Sequence, residues 1–332
     1  MSKVLVIRFS SIGDIVLTTP ILRCLKKQLK DVEVHFLTKR DFSDILFNNP
    51  YINNYFFLQE NLSEIIQQLK STEYDYIIDL HNNLRSWRVK RALKGKSYAF
   101  KKRNIEKWLL VNFKKNRMPH EHIVDRFFET VKPIGVINDG EGLDFFINPH
   151  DEIDVTKFLP DGFQNGYIAF VIGAKHKTKC MPVNKIISIC SKINYPVVLL
   201  GGFEDKPTGE EIAAKFKGKV FSSCGKTTVG QSASLVKQSQ LVITHDTGLM
   251  HIAAAFRKKI ISVWGNTVPE FGMYPYLPSG SSPFSIVEVK NLSCRPCSKL
   301  GFQKCPKGHF KCMNDIDENE ILKIVTGILS AE

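Results

Sequence analysis

The feature that most constrains this chain is an alternation of short apolar runs with stretches of helical period, carried through once and then begun again. Lys3–Arg8 reads as a buried strand, and from Asp14 to Leu29 the apolar Leu17, Ile21, Leu22, Leu25 and Leu29 recur at helical spacing. Pro20 within that stretch predicts a kink or a late helix start, because its ring removes an N–H and crowds the preceding turn. Strand-like runs follow at 33–37, 55–58 and 74–80, with helical segments between them. Strands alternating with helices argue a parallel sheet, since only a crossover helix returns the chain in the same direction.

The alternation lapses at Asp139–Gly142 and at the polar Asn148–Asp154, and Pro160-Asp161-Gly162 precedes a fresh strand at Tyr167–Ile172. A boundary is expected near residues 150–165. Helices are then expected over 182–193, 209–216, 229–238 and 246–256, and strands over 196–200, 241–244, 259–264 and 285–289, before a last helix at Glu318–Leu329. With 332 residues there is chain enough for two such cores. The expected division is 1–155 and 156–316, with 317–332 a C-terminal helix able to pack back on the first domain. Sheets of this kind place ligands outside the carboxyl ends of their strands.

Charge narrows the partner. Of a formal net charge of +13, a disproportionate share lies between Arg85 and Arg117, where thirteen Lys or Arg residues stand against the single acid Glu106. Trp87, Phe100, Trp108 and Phe113 interleave with them, as at membrane interfaces and in single-strand nucleic-acid grooves. Nucleic acid, anionic lipid headgroups, a phosphorylated glycan and a merely solvated face all fit that charge. The opening residues read as a strand and not as a signal peptide, and no apolar run approaches the roughly 20 residues that span a bilayer. A cytoplasmic or membrane-peripheral protein is expected. No nucleic-acid motif is recognisable, so a basic nucleic-acid-binding protein stands as the reading from another class, and none is expected as a partner.

Three loops at strand ends carry the chemistry. In Arg8-Phe9-Ser10-Ser11-Ile12-Gly13-Asp14, the small residues allow a tight turn, and Asp14 is either an N-cap or a general base. Gly173-Ala174-Lys175-His176-Lys177-Thr178-Lys179 lacks the spacing of a Walker or dinucleotide fingerprint, so it holds phosphate by lysine charge and helix-end N–H groups or is a solvated loop. Thr244-His245-Asp246-Thr247-Gly248-Leu249-Met250-His251 runs from a strand into a helix whose first N–H groups suit a developing phosphate charge. The alternative is that Asp246 or Thr247 only caps and His251 only fills the core. Glu204, after Gly201-Gly202, is placed like a carboxylate that grips a ribose hydroxyl.

Taken in order, the strand followed by Arg-x-Ser-Ser-x-Gly-Asp, the Lys179-x-x-Pro182 loop, Gly-Gly-x-Glu, and Asp246-Thr-Gly-Leu-Met-His251 followed by an Ala-rich helix and Trp264-Gly265-Asn266-Thr267 resemble glycosyltransferase family nine, the ADP-heptose:lipopolysaccharide heptosyltransferases. The resemblance covers nearly the whole chain. It implies the GT-B architecture, two Rossmann-like doubly wound domains facing a central cleft. It also implies an inverting displacement, with Asp14 as base and Ser10, Ser11 and Gly13 around the acceptor. Lys179 and Lys175 would lie at the donor diphosphate, Glu204 at the ribose, Asp246 at the heptose, and Thr247, Gly248 and His251 on the phosphate side. Where the family favours Lys-Arg-Trp-Pro, this chain has Lys179-Cys180-Met181-Pro182, which leaves another nucleotide sugar, or an epimerase on the same scaffold, as alternatives. Arg85, Arg88 and Arg91 are assigned to an anionic glycolipid acceptor at the inner face of the cytoplasmic membrane. No cofactor is required for such a displacement.

Cys24, Cys190 and Cys224 read as packing residues. Cys294-Arg-Pro-Cys297 followed by Cys305 and Cys312, with His309 nearby, has the look of four structural zinc ligands, although the second pair is spaced wider than in zinc ribbons. A reduced loop is the alternative.

Overall fold

The computed structural model describes residues 1–278, 280–281 and 284–330. It consists of two compact units. The first comprises Met1–Arg103 and Glu121–Phe146; the second comprises Asn104–His120 and Ile147–Glu332. Both ends of the expected division therefore move. The second unit begins before residue 156, and it also takes a segment from inside the stretch 1–155. Residues 331–332 of the expected C-terminal piece lie outside the described residues.

In chain order, unit 1 holds β1 (Ser2–Ile7), α1 (Ile12–Val16), α2 (Thr19–Gln28), β2 (Val32–Lys39), β3 (Asn54–Leu58), α3 (Leu62–Lys70), β4 (Tyr76–Asp79), α4 (Leu84–Ala92) and β5 (Lys96–Ala99). Next comes α5 (Asn104–Phe113), which belongs to unit 2, and α6 (Ile123–Phe128) returns to unit 1. The single helix expected from Asp14 to Leu29 is two. Pro20 sits in the first turn of α2, where a missing N–H costs nothing, so the chain breaks after α1 and restarts. The sheet is parallel throughout, in the order β3-β2-β1-β4-β5. Leu5, Ile7, Leu37, Leu69, Ile77 and Val89 fill the core on one face. Arg23, 2% exposed, ties the 139–144 segment back onto α2: its guanidinium donates to Asp139 at 2.7 and 2.8 Å, to Gly142 O at 2.8 Å, and to Asp144.

Unit 2 continues with α7 (Val155–Phe158), β6 (Ile168–Val171), α8 (Val183–Lys192), β7 (Val197–Leu200), α9 (Lys206–Ala214), β8 (Val220–Ser222), α10 (Val229–Gln238), β9 (Leu241–His245), α11 (Gly248–Ala255), β10 (Lys259–Trp264), β11 (Ser285–Glu288), α12 (Lys311–Asn314) and α13 (Glu318–Leu329). Its sheet is also parallel, in the order β11-β10-β9-β6-β7-β8. The last helix stays in this unit. Ile321 and Val325 join the same core as Ile186, Ile189 and Val263, and Glu318 pairs with Lys185 and Lys192 of α8. Helix α5 is anchored here as well, with Leu110 packed among Met118, Val268 and Phe271. Among the described residues no helix is long and apolar enough to cross a membrane.

Each sheet order has one switch point. In unit 1 the order turns at β1, which has β2 on one side and β4 on the other; in unit 2 it turns at β6, between β7 and β9. At such a switch point the loops leaving two neighbouring strands diverge and leave a crevice at their carboxyl ends. The loops that carry Asp14, and those that carry Lys179 and Asp246, are the ones at these positions.

Candidate active site

At the switch point of unit 1, Ser11 is the N-cap residue of α1 and Asp14 is its third residue, so Asp14 is not the cap. Its carboxylate reaches back instead, accepting the Ser11 N–H at 3.2 Å and the Ser11 hydroxyl at 2.7 Å. Arg8 completes its surroundings, with Nη2 2.6 Å from Asp14 Oδ1. Burial by itself would raise the Asp14 pKa; the Arg8 charge and the Ser11 hydrogen bonds outweigh it and hold the carboxyl below the usual 3.8. The group is an anion at neutral pH, and its side chain retains 22% exposure. Ser10 and Gly13 complete the turn, and Arg8 is itself held by Ser10 O at 2.9 Å and by Leu80 O.

That last bond joins the β1 loop to the β4 loop, because Ile7 and Asp79 are register partners. The β4 loop carries a residue that pattern reading does not single out. The His81 ring meets Phe9 edge-on at 5.1 Å, and burial, with Arg8 and Lys102, pushes its pKa down to about 4. His81 Nδ1 is buried with no hydrogen-bond partner among the described residues. The only sequence signal was its place immediately after a strand end.

Behind His81, Asp79 is fully buried. One oxygen accepts the N–H groups of His81 (3.0 Å) and Asn82 (2.6 Å); the other faces Ser86 Oγ and Lys90 Nζ, each at 2.8 Å. The network fixes α4, whose inner face is Ser86 and Val89. Arg85, Arg88 and Arg91, three residues apart, are all exposed on its outer side, and the Arg91 guanidinium lies 5.7 Å from the Trp87 ring centre.

At the switch point of unit 2, Lys179 Nζ meets Asp246 Oδ2 at 2.6 Å, with side chains 16% and 12% exposed. Thr267 Oγ1 donates to the same carboxylate oxygen at 2.9 Å. The two loops are also joined through the backbone: the Met181 N–H donates to His245 Nε2 at 3.0 Å. His245 is fully buried, and that burial holds its pKa down to about 4, so the imidazole is neutral and accepts through Nε2. Thr247 stands at the N-cap position of α11 with no side-chain hydrogen bond to the helix, Gly248 is its first residue, and His251 lies buried one turn on.

Two of the expected donor residues are open to solvent. Lys175 and Glu204 are both exposed on the loop surfaces. The carboxylate that turns inward after Gly201-Gly202 is Asp205, which accepts the Gly202 N–H at 3.1 Å and pairs with Lys177 at 3.0 Å. Gly173 exists to admit it, since a Cβ there would fall 1.9 Å from Asp205 Oδ2. Lys177 and Asp205 border a cavity of about 300 Å³ that neither Lys179 nor Asp246 lines. Arg295 was equally hidden in the sequence. Only 6% exposed, it donates to Gly265 O (2.5 Å), Thr267 O (2.9 Å) and Glu288 (2.6 Å), and so sets the segment from which Thr267 reaches Asp246.

The four cysteines read as zinc ligands lie in one region of unit 2. Among the described residues no group of three or more His, Cys, Asp or Glu is placed to hold a metal ion. Cys297 turns its thiol to the Cys294 carbonyl at 3.1 Å, and Cys294 faces His309 Nε2 at 3.8 Å. Cys312 is buried in the core of unit 2. Burial raises the Cys297 thiol to about 11 and that of Cys312 to about 12, and the neighbouring Cys294 and Cys305 add to both shifts.

Comparison with known proteins gives this arrangement its relatives. The profile of Glycosyltransferase family 9 (heptosyltransferase) matches residues 62–300. Lipopolysaccharide heptosyltransferase 1 of Campylobacter coli is 22% identical over 99% of this chain and 100% of its own length. Lipopolysaccharide heptosyltransferase 3 of Escherichia coli K12 is 25% identical over 77% of this chain and 80% of its own. Among solved structures, a glycosyl transferase family 9 protein from Veillonella parvula superposes with a TM-score of 0.79 at 20% identity, covering 100% of this chain and 98% of that one. The E. coli ADP-heptose lps heptosyltransferase II does so with a TM-score of 0.74 at 18% identity, covering 99% of each. The fold is thus the GT-B fold of these enzymes, and, with the family profile spanning most of its length, this chain belongs to glycosyltransferase family 9 and is a glycosyltransferase.

Proposed function

We propose that the chain transfers heptose from ADP-heptose to the inner core of a lipopolysaccharide-type glycolipid, with inversion at the anomeric carbon. The observation that carries this reading is the ionised Asp14 carboxylate at the switch point of unit 1, held by Arg8 and Ser11 yet still partly open to solvent. A carboxylate so placed draws the proton from an acceptor hydroxyl as its oxygen attacks the anomeric carbon, and the C–O bond to the nucleoside diphosphate breaks on the opposite side. Unit 2 supplies what the leaving group needs. Lys179 and the N–H groups that open α11 meet the negative charge growing on the phosphate, and Asp246, once Lys179 turns to the diphosphate, is free to accept sugar hydroxyls. The names of the relatives support heptose and lipopolysaccharide as substrates. The three exposed arginines of α4 are read as the contacts to an acceptor that bears phosphate or carboxylate groups, with the protein working at the inner face of the cytoplasmic membrane.

The test is transfer from ADP-heptose to a lipid A–inner-core acceptor, followed by mass spectrometry, for the native chain and for Asp14→Asn. A gain of one heptose that is lost in the variant supports both reaction and base. No transfer from ADP-heptose, with product from another nucleotide sugar, removes the heptose assignment. An Asp14→Asn chain as active as the native one removes the base.

A further inference from the structure

Helix α5 presents to solvent the side that a helix of a soluble protein ordinarily buries. Its one fully buried residue, Leu110, points into unit 2. At about 100° per residue, Trp108, Asn112, Ile105, Leu109 and Phe113 fall in succession along an arc of roughly 140°, which runs from the side opposite Leu110 round to about 60° from it. Four of those five are large and apolar, and three are well exposed: Ile105 73%, Trp108 56% and Phe113 57%. The Trp108 and Phe113 rings are already set against each other, edge to face at 5.1 Å. The helix is not loosely held. Lys114 Nζ caps its end on Val111 O at 2.6 Å and fastens it to the cysteine loop through Pro296 O at 2.7 Å. An apolar ridge is therefore displayed on a fixed support. The exposed Lys115 and Arg117 follow it closely in the chain, and the stretch of sequence from Arg85 to Arg117 has one acid among thirteen cations.

We infer that the outer face of α5 is a membrane-inserting surface, seated in the headgroup layer of an anionic bilayer. Exposed apolar patches of this kind mark a partner, and the basic surround selects one with an anionic face and an apolar interior. Tryptophan suits that depth, because its ring buries while the indole N–H stays with the headgroups, and isoleucine and phenylalanine insert as apolar groups beside it. The inference deepens the proposed function, on which it rests for the membrane-held acceptor. It adds that the docking element belongs to unit 2 and works by insertion as well as by charge.

The experiment uses the full chain with vesicles of phosphatidylglycerol and phosphatidylcholine, or of phosphatidylcholine alone. Trp87→Phe leaves Trp108 as the one exposed tryptophan, since Trp264 is 1% exposed. The expected result is sedimentation with anionic vesicles, a blue shift of Trp108 emission, and quenching by brominated acyl chains. The triple variant Ile105→Ser/Trp108→Ser/Phe113→Ser, made in the native background, should lower vesicle binding by about tenfold or more. It should still transfer sugar to a water-soluble truncated acceptor at the native rate. Lys115→Gln/Arg117→Gln should weaken binding to the anionic vesicles alone. Native-level vesicle binding by the triple variant, or an unquenched Trp108, overturns the inference. So does concentration-dependent self-association that the triple variant abolishes without any vesicle binding, which would make the face a protein interface. Failure of sugar transfer to every acceptor would strike the proposed reaction and leave the vesicle result standing.

Discussion

Replacing Asp79 by Asn tests whether α4 is held by charge. The substitution keeps the shape and the oxygen that accepts from His81 and Asn82, but turns an amide NH₂ toward Ser86 Oγ and Lys90 Nζ, each 2.8 Å away. Ser86 has another acceptor, Asn83 O at 3.0 Å, and adds little. Lys90 does not: it loses its counter-ion at 13% side-chain exposure. Removing one partner of a buried pair costs about 3–5 kcal/mol, and the partial exposure of Lys90 brings the expectation to about 3 kcal/mol. At roughly 4 °C per kcal/mol that is a drop of about 12 °C in the melting of unit 1. Hydrogen exchange followed by mass spectrometry reads the two units separately, through peptides covering β1 and β4. Lys90→Met should cost less, about 1–2 kcal/mol, because three donors still serve the carboxylate, and the double variant should fall short of the sum of the singles by about 1–2 kcal/mol. A loss below 1 kcal/mol for Asp79→Asn, or strict additivity in the double variant, would refute the reasoning.

Arg8→Met should move the acid limb of the transfer rate to higher pH. Because Asp14 titrates below its usual value in the folded chain, the stability from its ion pair is present above about pH 3.9 and lost only as pH falls through the lower folded value. An unmoved acid limb would show that Ser11, not Arg8, sets the base. His81 and His245, both held down to about 4 chiefly by burial, take up protons near 6.5 when unfolded. Stability should therefore fall as pH drops from about 6.5 toward 4, and His245→Asn should flatten part of that slope in urea titrations; a slope unchanged in the variant sinks the assignment. Thr267→Val removes the hydroxyl that steadies Asp246 and should raise the donor KM about threefold to tenfold with little change in kcat. A kcat loss at constant KM would instead place Thr267 in the chemical step.

Much of the fold was legible because parallel strands buried on both faces leave continuous apolar runs. Tyr167–Ile172 and Lys259–Trp264 announce themselves, and the last helix was read at its observed bounds. That Asp14, Lys179 and Asp246 lie in loops at strand ends was legible for a related reason, since an apolar run shows where its strand stops. What stayed hidden depends on long-range closure. Arg295 reaches Gly265 across thirty residues, Asp205 fills a gap shaped by Gly173, and neither relation has a period to detect. The expectation that residues 104–113 belong with the first domain failed for the same cause, since the remote Val268 and Phe271 pack against Leu110.

That exchange of α5 has a consequence in time. A ribosome that has released Leu110 must add another 161 residues before Phe271 emerges to receive it. At about 5–20 residues per second the interval is roughly 8–30 s, during which unit 1 can close while this helix waits with both its sides unclaimed. Chaperones and nearby lipid compete for it over that span. A chain cut to residues 147–332 would never receive it, so the unit that reads as independent in the sequence cannot be made from one contiguous piece.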